Sequence, residues 1–188
     1  MTLHLTYCDT RVTSVDDLAA RRSGVGSRGL ELVLLQSIGR HPLWRNAHAH
    51  AARTLELVVA GGGAPAVGMV MLSSLAVDVL RSDSIALATP PDRRRRTAVA
   101  ITVAPGGRAD RRRLLVIGTD LIDEEWRAHR DELRQRLGAM GHPVDAATVV
   151  IAVDRGLLRL PSLQSAEPAM RVDPISDEGG ALVFEVGA

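Results

Sequence analysis

The chain contains no lysine; all 23 of its basic residues are arginine. That absence removes a Schiff-base lysine for pyridoxal chemistry, a phosphate-loop lysine and a lysine general base. It also points to a GC-rich bacterial coding bias. Aromatic residues are nearly as scarce, at 2% of the chain: Tyr7, Trp44, Trp126 and Phe184. A base-stacking platform and an aromatic-lined pocket are excluded, and the core must be built from Leu, Val, Ala, Ile and Met. Cys8 is the single cysteine. No disulfide can form within one chain, so a reducing, cytoplasmic setting is expected; with no base nearby in sequence, Cys8 reads as an inert thiol. The longest apolar run, residues 64–80, is interrupted by Pro65, Ser73, Ser74 and Asp78. It is too short for a membrane span, and the first residues lack the basic-then-apolar pattern of a secretory leader.

At 188 residues and 46% hydrophobic content, the chain is long enough for one buried core. The expectation is a single domain over residues 1–188, weakest as a unit near residues 83–90. The net charge of +1 gives no global attraction to nucleic acid. It hides a segregation, because residues 89–113 are strongly basic and the tail beyond Leu163 is acidic (Glu167, Asp173, Asp177, Glu178 and Glu185 against Arg171).

Alternation of Leu3, Leu5 and Tyr7 with polar residues predicts a strand over 2–7. Ser14 caps a predicted helix from Val15 to Arg22. The run Leu30–Ile38 fits helix or strand. Asn46 is placed to cap a helix reaching Ala60, and a nearly uniformly apolar helix is expected from Pro65 to Leu80, buried or facing another subunit. A short strand at 84–88 precedes a hairpin of Thr97–Ala104 with Arg113–Gly118, turning at 105–110 so that Ala104 faces Arg111 and Thr97 faces Gly118. A helix over 122–138, with Ile122, Trp126, Leu133, Leu137 and Met140 on its buried stripe, then leads to a strand at 147–153. Strand 114–118, this helix and strand 147–153 predict a right-handed βαβ unit. Residues 161–179 read as loop and 181–186 as a last strand. The fold class is therefore α/β or α+β, with a helix-rich N-terminal half and a C-terminal half carrying the βαβ unit and the hairpin in a mixed sheet.

Ligands of parallel sheets bind beyond the carboxyl ends of strands. Both strands of the βαβ unit end in acid, at Asp120 and Asp154, which makes these two the candidate catalytic residues. Neighbouring carboxylates there could hold Mg²⁺ or divide acid and base roles; the plainer reading is a helix cap and a turn. Gly24-Val-Gly-Ser-Arg-Gly29 matches the dinucleotide fingerprint in form but lacks a preceding strand and a suitably placed acid. It is read as a loop, with Arg22 and Arg28 the contacts if a phosphate bound there. His48 and His50, two apart on a helix, cannot share a metal, so neither a metal nor a cofactor is assigned. The arginines Arg93, Arg94, Arg95 and Arg96 fall at the open end of the hairpin, and Arg108, Arg111, Arg112 and Arg113 at its tip, as contacts for a phosphate or an acidic partner. A winged-helix reading fails, since the predicted 65–80 helix carries no basic residue.

Arg94 to Val103, followed by Arg113-Leu-Leu-Val-Ile-Gly-Thr-Asp120, is similar in segment order to the middle of thiolase/ketosynthase-fold proteins. Asp131 to Val153 resembles that family's later helix, turn and strand, and Ala66–Leu80 resembles its buried nucleophile helix. The nucleophilic Cys would fall near Ala66, and Asp154 stands where a His would be. The resemblance therefore implies a non-catalytic partner subunit of acyl or polyketide metabolism. The favoured expectation is an accessory protein, self-associating or docking to a protein partner through the 65–80 helix and Arg-lined sheet edges. The alternatives are a small enzyme with an acidic site at Asp120 and Asp154, and a nucleic-acid-binding protein using the hairpin.

Overall fold

The computed structural model describes residues 2–22, 29–39, 42–88, 95–105, 107, 113–121, 123–144, 147–154, 157–159, 172–178 and 181–187. Strands dominate. In chain order the elements are β1 (Thr2–Asp9), α1 (Val15–Arg22), β2 (Leu30–Gln36), α2 (Trp44–Thr54), β3 (Val58–Gly63), β4 (Ala66–Ser73), β5 (Asp78–Ala86), β6 (Thr97–Ala104), β7 (Leu114–Thr119), α3 (Asp123–Ala139), β8 (Ala147–Asp154), β9 (Leu157–Arg159), β10 (Val172–Glu178) and β11 (Ala181–Gly187). They form two mixed sheets, ordered β10-β11-β1-β2-β4-β3 and β5-β6-β7-β8-β9. The fold is α/β as expected, but the helix-rich N-terminal half is not found, because α1 and α2 are its described helices and five described strands share that half with them.

Three apolar clusters define four layers. Leu3, Leu5, Tyr7, Leu32, Leu34 and Met71 of the first sheet meet Val99, Ile101, Leu114 and Val116 of the second. The outer face of the first sheet, with Cys8, Val33, Leu35, Val70 and Leu72, is covered by Leu18 of α1 and Ala51 and Ala52 of α2. The outer face of the second, with Ala98, Ala100, Leu115 and Ile117, is covered by Trp126, Leu133 and Leu137 of α3. Strands β2 and β7 are thus buried along their whole length on both faces.

That double burial explains the main corrections. A strand buried on both faces shows no polar alternation. Residues 65–80, predicted as an apolar helix, instead supply β4, a turn and the start of β5. The predicted docking helix and the premise of the winged-helix argument disappear with it. The helix expected to reach Ala60 ends at Thr54, and Val58 to Ala60 belong to β3. Val172–Glu178, read as loop, pairs with β11. The hairpin exists, in a register two residues from the predicted one, with Val99 opposite Gly118 and Ala98 opposite Thr119. The connection from Ala104 to Arg113 is longer than the six-residue turn assumed, and this carries Thr97 level with Asp120.

Local signals held where they were specific. The Ser14 hydroxyl accepts the Asp17 N–H at 3.1 Å and donates to Asp17 Oδ2 at 2.6 Å, a reciprocal cap on α1. Past the C-terminus of α3, Gly141 takes φ 81°, its N–H donates to the Gly138 carbonyl at 2.9 Å and the His142 N–H to the Leu137 carbonyl at 2.9 Å. This double closure needs the left-handed conformation that glycine adopts without strain. It delivers the buried His142 ring to the second sheet, where Nδ1 lies 2.8 Å from Thr102 Oγ1 and Nε2 3.0 Å from Asp83 Oδ2. The buried Glu31 of β2 is matched by Arg22 at 2.5 Å, whose guanidinium also donates to the Leu55 carbonyl. One arginine thereby ties α1 and the end of α2 to the first sheet.

Candidate functional site

Parallel pairing of β1 with β2, and of β7 with β8, sets a direction for each sheet. In the first sheet Leu3, Leu5 and Tyr7 of β1 and Leu30, Leu32 and Leu34 of β2 face the other sheet. Alternation carries that face on to Asp9 and Gln36 at the carboxyl ends. In the second sheet Val99, Ile101 and Val103 alternate back to Thr97 and Arg95, and Leu114 and Val116 alternate forward to Gly118 and Asp120. A cavity of about 220 Å³ opens there, lined by Gln36, Pro65, Val67, Gly68, Met69, Arg95, Thr97 and Asp120.

Hydrogen bonds hold this mouth together. Asp120 Oδ1 accepts the Thr97 N–H at 2.7 Å, and the Asp120 N–H donates to the Thr97 carbonyl at 3.3 Å. The neighbouring Thr119 hydroxyl donates to the same carbonyl at 3.0 Å. Arg96 turns the opposite way from Arg95. Its Nη1 donates to the Asp120 carbonyl and its Nη2 to Glu125 Oε1, both at 3.1 Å. Arg96 Nε lies 2.7 Å from Glu125 Oε2, an ion pair without hydrogen-bond alignment. The charge of Arg96 is therefore met by α3. Arg95 is exposed, lines the cavity, and makes no hydrogen bond or ion pair among the described residues.

A second polar group closes the first sheet at this end. Asp9 is buried, and Arg11 holds it through Nε at 3.1 Å to both carboxylate oxygens, Nη2 at 2.5 Å to Oδ2 and its own N–H at 3.0 Å to Oδ1. Burial pushes the Asp9 carboxyl up, but the side-chain and backbone donations of Arg11, with the adjacent Ser37 hydroxyl, outweigh it and leave it below its ordinary value. The Ser37 hydroxyl stands near the carboxylate without hydrogen-bond alignment, and Ser37 itself sits at φ 65°. A non-glycine residue in that region is a strained position of the kind that clusters at ligand sites. The Tyr7 hydroxyl donates to Gln36 Oε1 at 3.0 Å, and burial, then the Asp9 charge, raise its pKa and keep it protonated. Cys8 is buried and donates to the Thr13 carbonyl, and burial pushes its thiol up to about 11, so it is an inert thiol at neutral pH.

Asp120 and Asp154 do lie at the carboxyl ends of adjacent parallel strands. Thr119 pairs with Ala152, so the position level with Asp120 is Val153, and Asp154 falls in the alternate register. Arg95 and Arg96 stand at the open end of the β6–β7 ladder and Arg113 at the turn end, while Arg93, Arg94, Arg108, Arg111 and Arg112 lie outside the described residues. Most of the Gly24–Gly29 motif and the side chains of the acidic tail also fall outside what is described. His48 is buried on α2 with its pKa lowered by burial, whereas His50 is exposed, as their spacing predicted. Sequence reasoning passed over Tyr7, Asp9 and Gln36. Among the described residues no three of His, Cys, Asp and Glu come together to hold a metal ion. The Mg²⁺ version of the Asp120/Asp154 site would rest on one described carboxylate already tied to a backbone N–H.

No protein-family model matches the chain, and no curated protein matches its sequence. Solved structures match its fold. Zebrafish (D. rerio) TDP2 humanised by 14 mutations aligns at TM-score 0.59 and 12% identity over 100% of this chain and 99% of that one. The human Nocturnin catalytic domain with bound sulfate aligns at TM-score 0.57 and 12% identity over 99% and 93%. An endonuclease/exonuclease/phosphatase family protein from Bacteroides thetaiotaomicron aligns at TM-score 0.53 and 10% identity over 98% and 83%. The chain has the endonuclease/exonuclease/phosphatase fold. The thiolase/ketosynthase resemblance is overturned, because the segment likened to a buried nucleophile helix is two strands and a turn. The non-catalytic accessory reading, with its docking helix, falls with it. No helix among the described residues is long and apolar enough to cross a membrane.

Proposed function

We propose that the chain is a phosphoester-cleaving enzyme whose substrate enters the cavity between the sheet ends. The observation that carries this is Arg95, an exposed guanidinium with no partner among the described residues, at a concave, partly polar site beyond the carboxyl ends of parallel strands. A planar guanidinium matches two oxygens of a phosphate. The fold similarity supports the choice, since one solved neighbour holds sulfate and another is zebrafish TDP2 complexed with a single-strand DNA product. In this reading Arg95 and the Thr97 hydroxyl contact the non-bridging oxygens. Asp120, oriented by the Thr97 N–H, takes the proton of the attacking water while the ester oxygen departs and takes its proton from solvent.

The test is hydrolysis of p-nitrophenyl phosphate and bis(p-nitrophenyl) phosphate, with and without added Mg²⁺ or Mn²⁺. Arg95→Ala and Asp120→Asn should each lower kcat/KM by about 100-fold, the scale of losing one transition-state contact. Turnover of neither ester by the unaltered chain, under any of these conditions, would overturn the proposal.

A further inference from the structure

Gln36 is an unusual wall for a cavity. It is 8% exposed, at the end of a strand that is otherwise Leu, Val and Glu, and its carboxamide carries one described partner, the Tyr7 hydroxyl at 3.0 Å. A carboxamide has a carbonyl oxygen and an NH₂ that can exchange places by a half-turn, and the hydrogen-bond network decides which is which. Here the network decides. Tyr7 is 4% exposed and its hydroxyl proton needs an acceptor. The acceptor beside it is Gln36 Oε1. If the amide turned over, two donors would meet and a buried hydroxyl proton would go unpaired, a cost that selects the observed orientation. Gln36 also lines the cavity, alongside Arg95 and Asp120, and makes no further described hydrogen bond with its side chain. Among the described residues, the Nε2 donors are therefore left for whatever enters.

We propose that Tyr7 is a positioning residue that locks the Gln36 carboxamide with Oε1 turned inward, making Gln36 Nε2 a second donor, beside Arg95, to an oxygen of a phosphate-class anion. The inference rests on the reading of the cavity as a phosphoester site and adds a specificity device to it. A flat wall of Pro65, Val67 and Met69 offers no hydrogen-bonding side chain, so the anion oxygens are divided between Gln36 on one sheet and Arg95 and Thr97 on the other. The site then forms only where the two sheet ends meet, and it discriminates an acceptor oxygen from a donor hydroxyl at the Gln36 position.

Inorganic phosphate is the probe, with affinity measured by calorimetry on the full chain. Tyr7→Phe keeps the ring and removes the hydroxyl, and should weaken phosphate binding about fivefold, the loss of one hydrogen bond. Gln36→Ala should weaken it by a similar factor, and adding Tyr7→Phe to Gln36→Ala should cost nothing further, because Tyr7 acts through Gln36. A purely structural role for Tyr7 would give additive losses instead. The Gln36 carboxamide resonances provide a reading without ligand: a single locked NH₂ pair in the unaltered chain, shifted by phosphate, and altered in Tyr7→Phe before any phosphate is added. Phosphate binding that depends on Arg95 but is equal in the unaltered chain and Tyr7→Phe overturns this inference and leaves the phosphoester reading standing. Absence of both phosphate binding and ester turnover overturns the two together.

Discussion

Asp9 and Arg11 meet at the carboxyl end of β1, one buried and the other with 65% of its side chain exposed. The exposure limits what the pair contributes, since solvent screens the guanidinium. The sign of its pH dependence is nevertheless fixed. The folded carboxyl lies below its ordinary value of 3.8, so the folded state holds that proton less tightly than the unfolded chain. Its stabilising contribution is complete above the unfolded value and fades as pH falls through the lower folded one. Arg11→Ala should cost under about 1 kcal/mol at pH 7, and the gap to the unaltered chain should narrow as pH falls below the ordinary carboxyl value of 3.8 and through the lower folded one. Urea unfolding at pH 7, 5 and 3 measures it; a gap that persists undiminished at pH 3 would mean that Arg11 acts by packing rather than by charge.

Elements differ in how much of themselves the sequence displays. β1, α1, β8, β11 and α3 carry alternation, a cap, a bounded apolar run or a glycine closure, and each was legible within a residue or two. β2 and β4 display none of these, because helices cover one face and the opposite sheet the other. With both faces dry, selection for polarity vanishes and the apolar run fits a helix as well as a strand. The candidate site was legible in the same proportion. Asp120 and Arg95 announced themselves as a strand-end acid and an arginine run. Gln36 and Tyr7 are ordinary residues made significant by the parallel pairing of β1 with β2, which brings together side chains 29 positions apart in the chain. Gly118 of β7 has its reason in the packing of elements. A Cβ there would stand 2.6 and 2.7 Å from the two methyls of Leu34 on the facing sheet. Leu34 is itself 1% exposed, so its methyls would have to shift within a packed interior. Gly118→Ala should destabilise by about 1–3 kcal/mol through overpacking. In combination with Leu34→Ala, which alone opens a cavity at about 2–5 kcal/mol, the loss should be smaller than the sum. Additive losses in urea unfolding would show that the sheets are not in contact at this point.

At the scale of the whole molecule, the cavity gathers Gln36, Met69, Arg95, Thr97 and Asp120 from both sheets. No contiguous segment contains the set, and separating the sheets separates the donors. A ligand held by all of them must therefore bind the folded chain and not the unfolded one, which makes it a stabiliser by mass action. At a phosphate concentration about 100 times its dissociation constant the gain is about 2.7 kcal/mol. For a chain of this size each kcal/mol moves the melting temperature by roughly 2–4 °C, so the rise should be on the order of 5–10 °C. Arg95→Ala should melt close to the unaltered chain without phosphate, because Arg95 makes no described contact to lose, and should gain little from adding it. Chloride at matched ionic strength separates binding from general screening. An equal rise in chloride, or an undiminished rise in Arg95→Ala, would place the effect elsewhere on this arginine-rich surface and remove the cavity from the account of how the chain meets an anion.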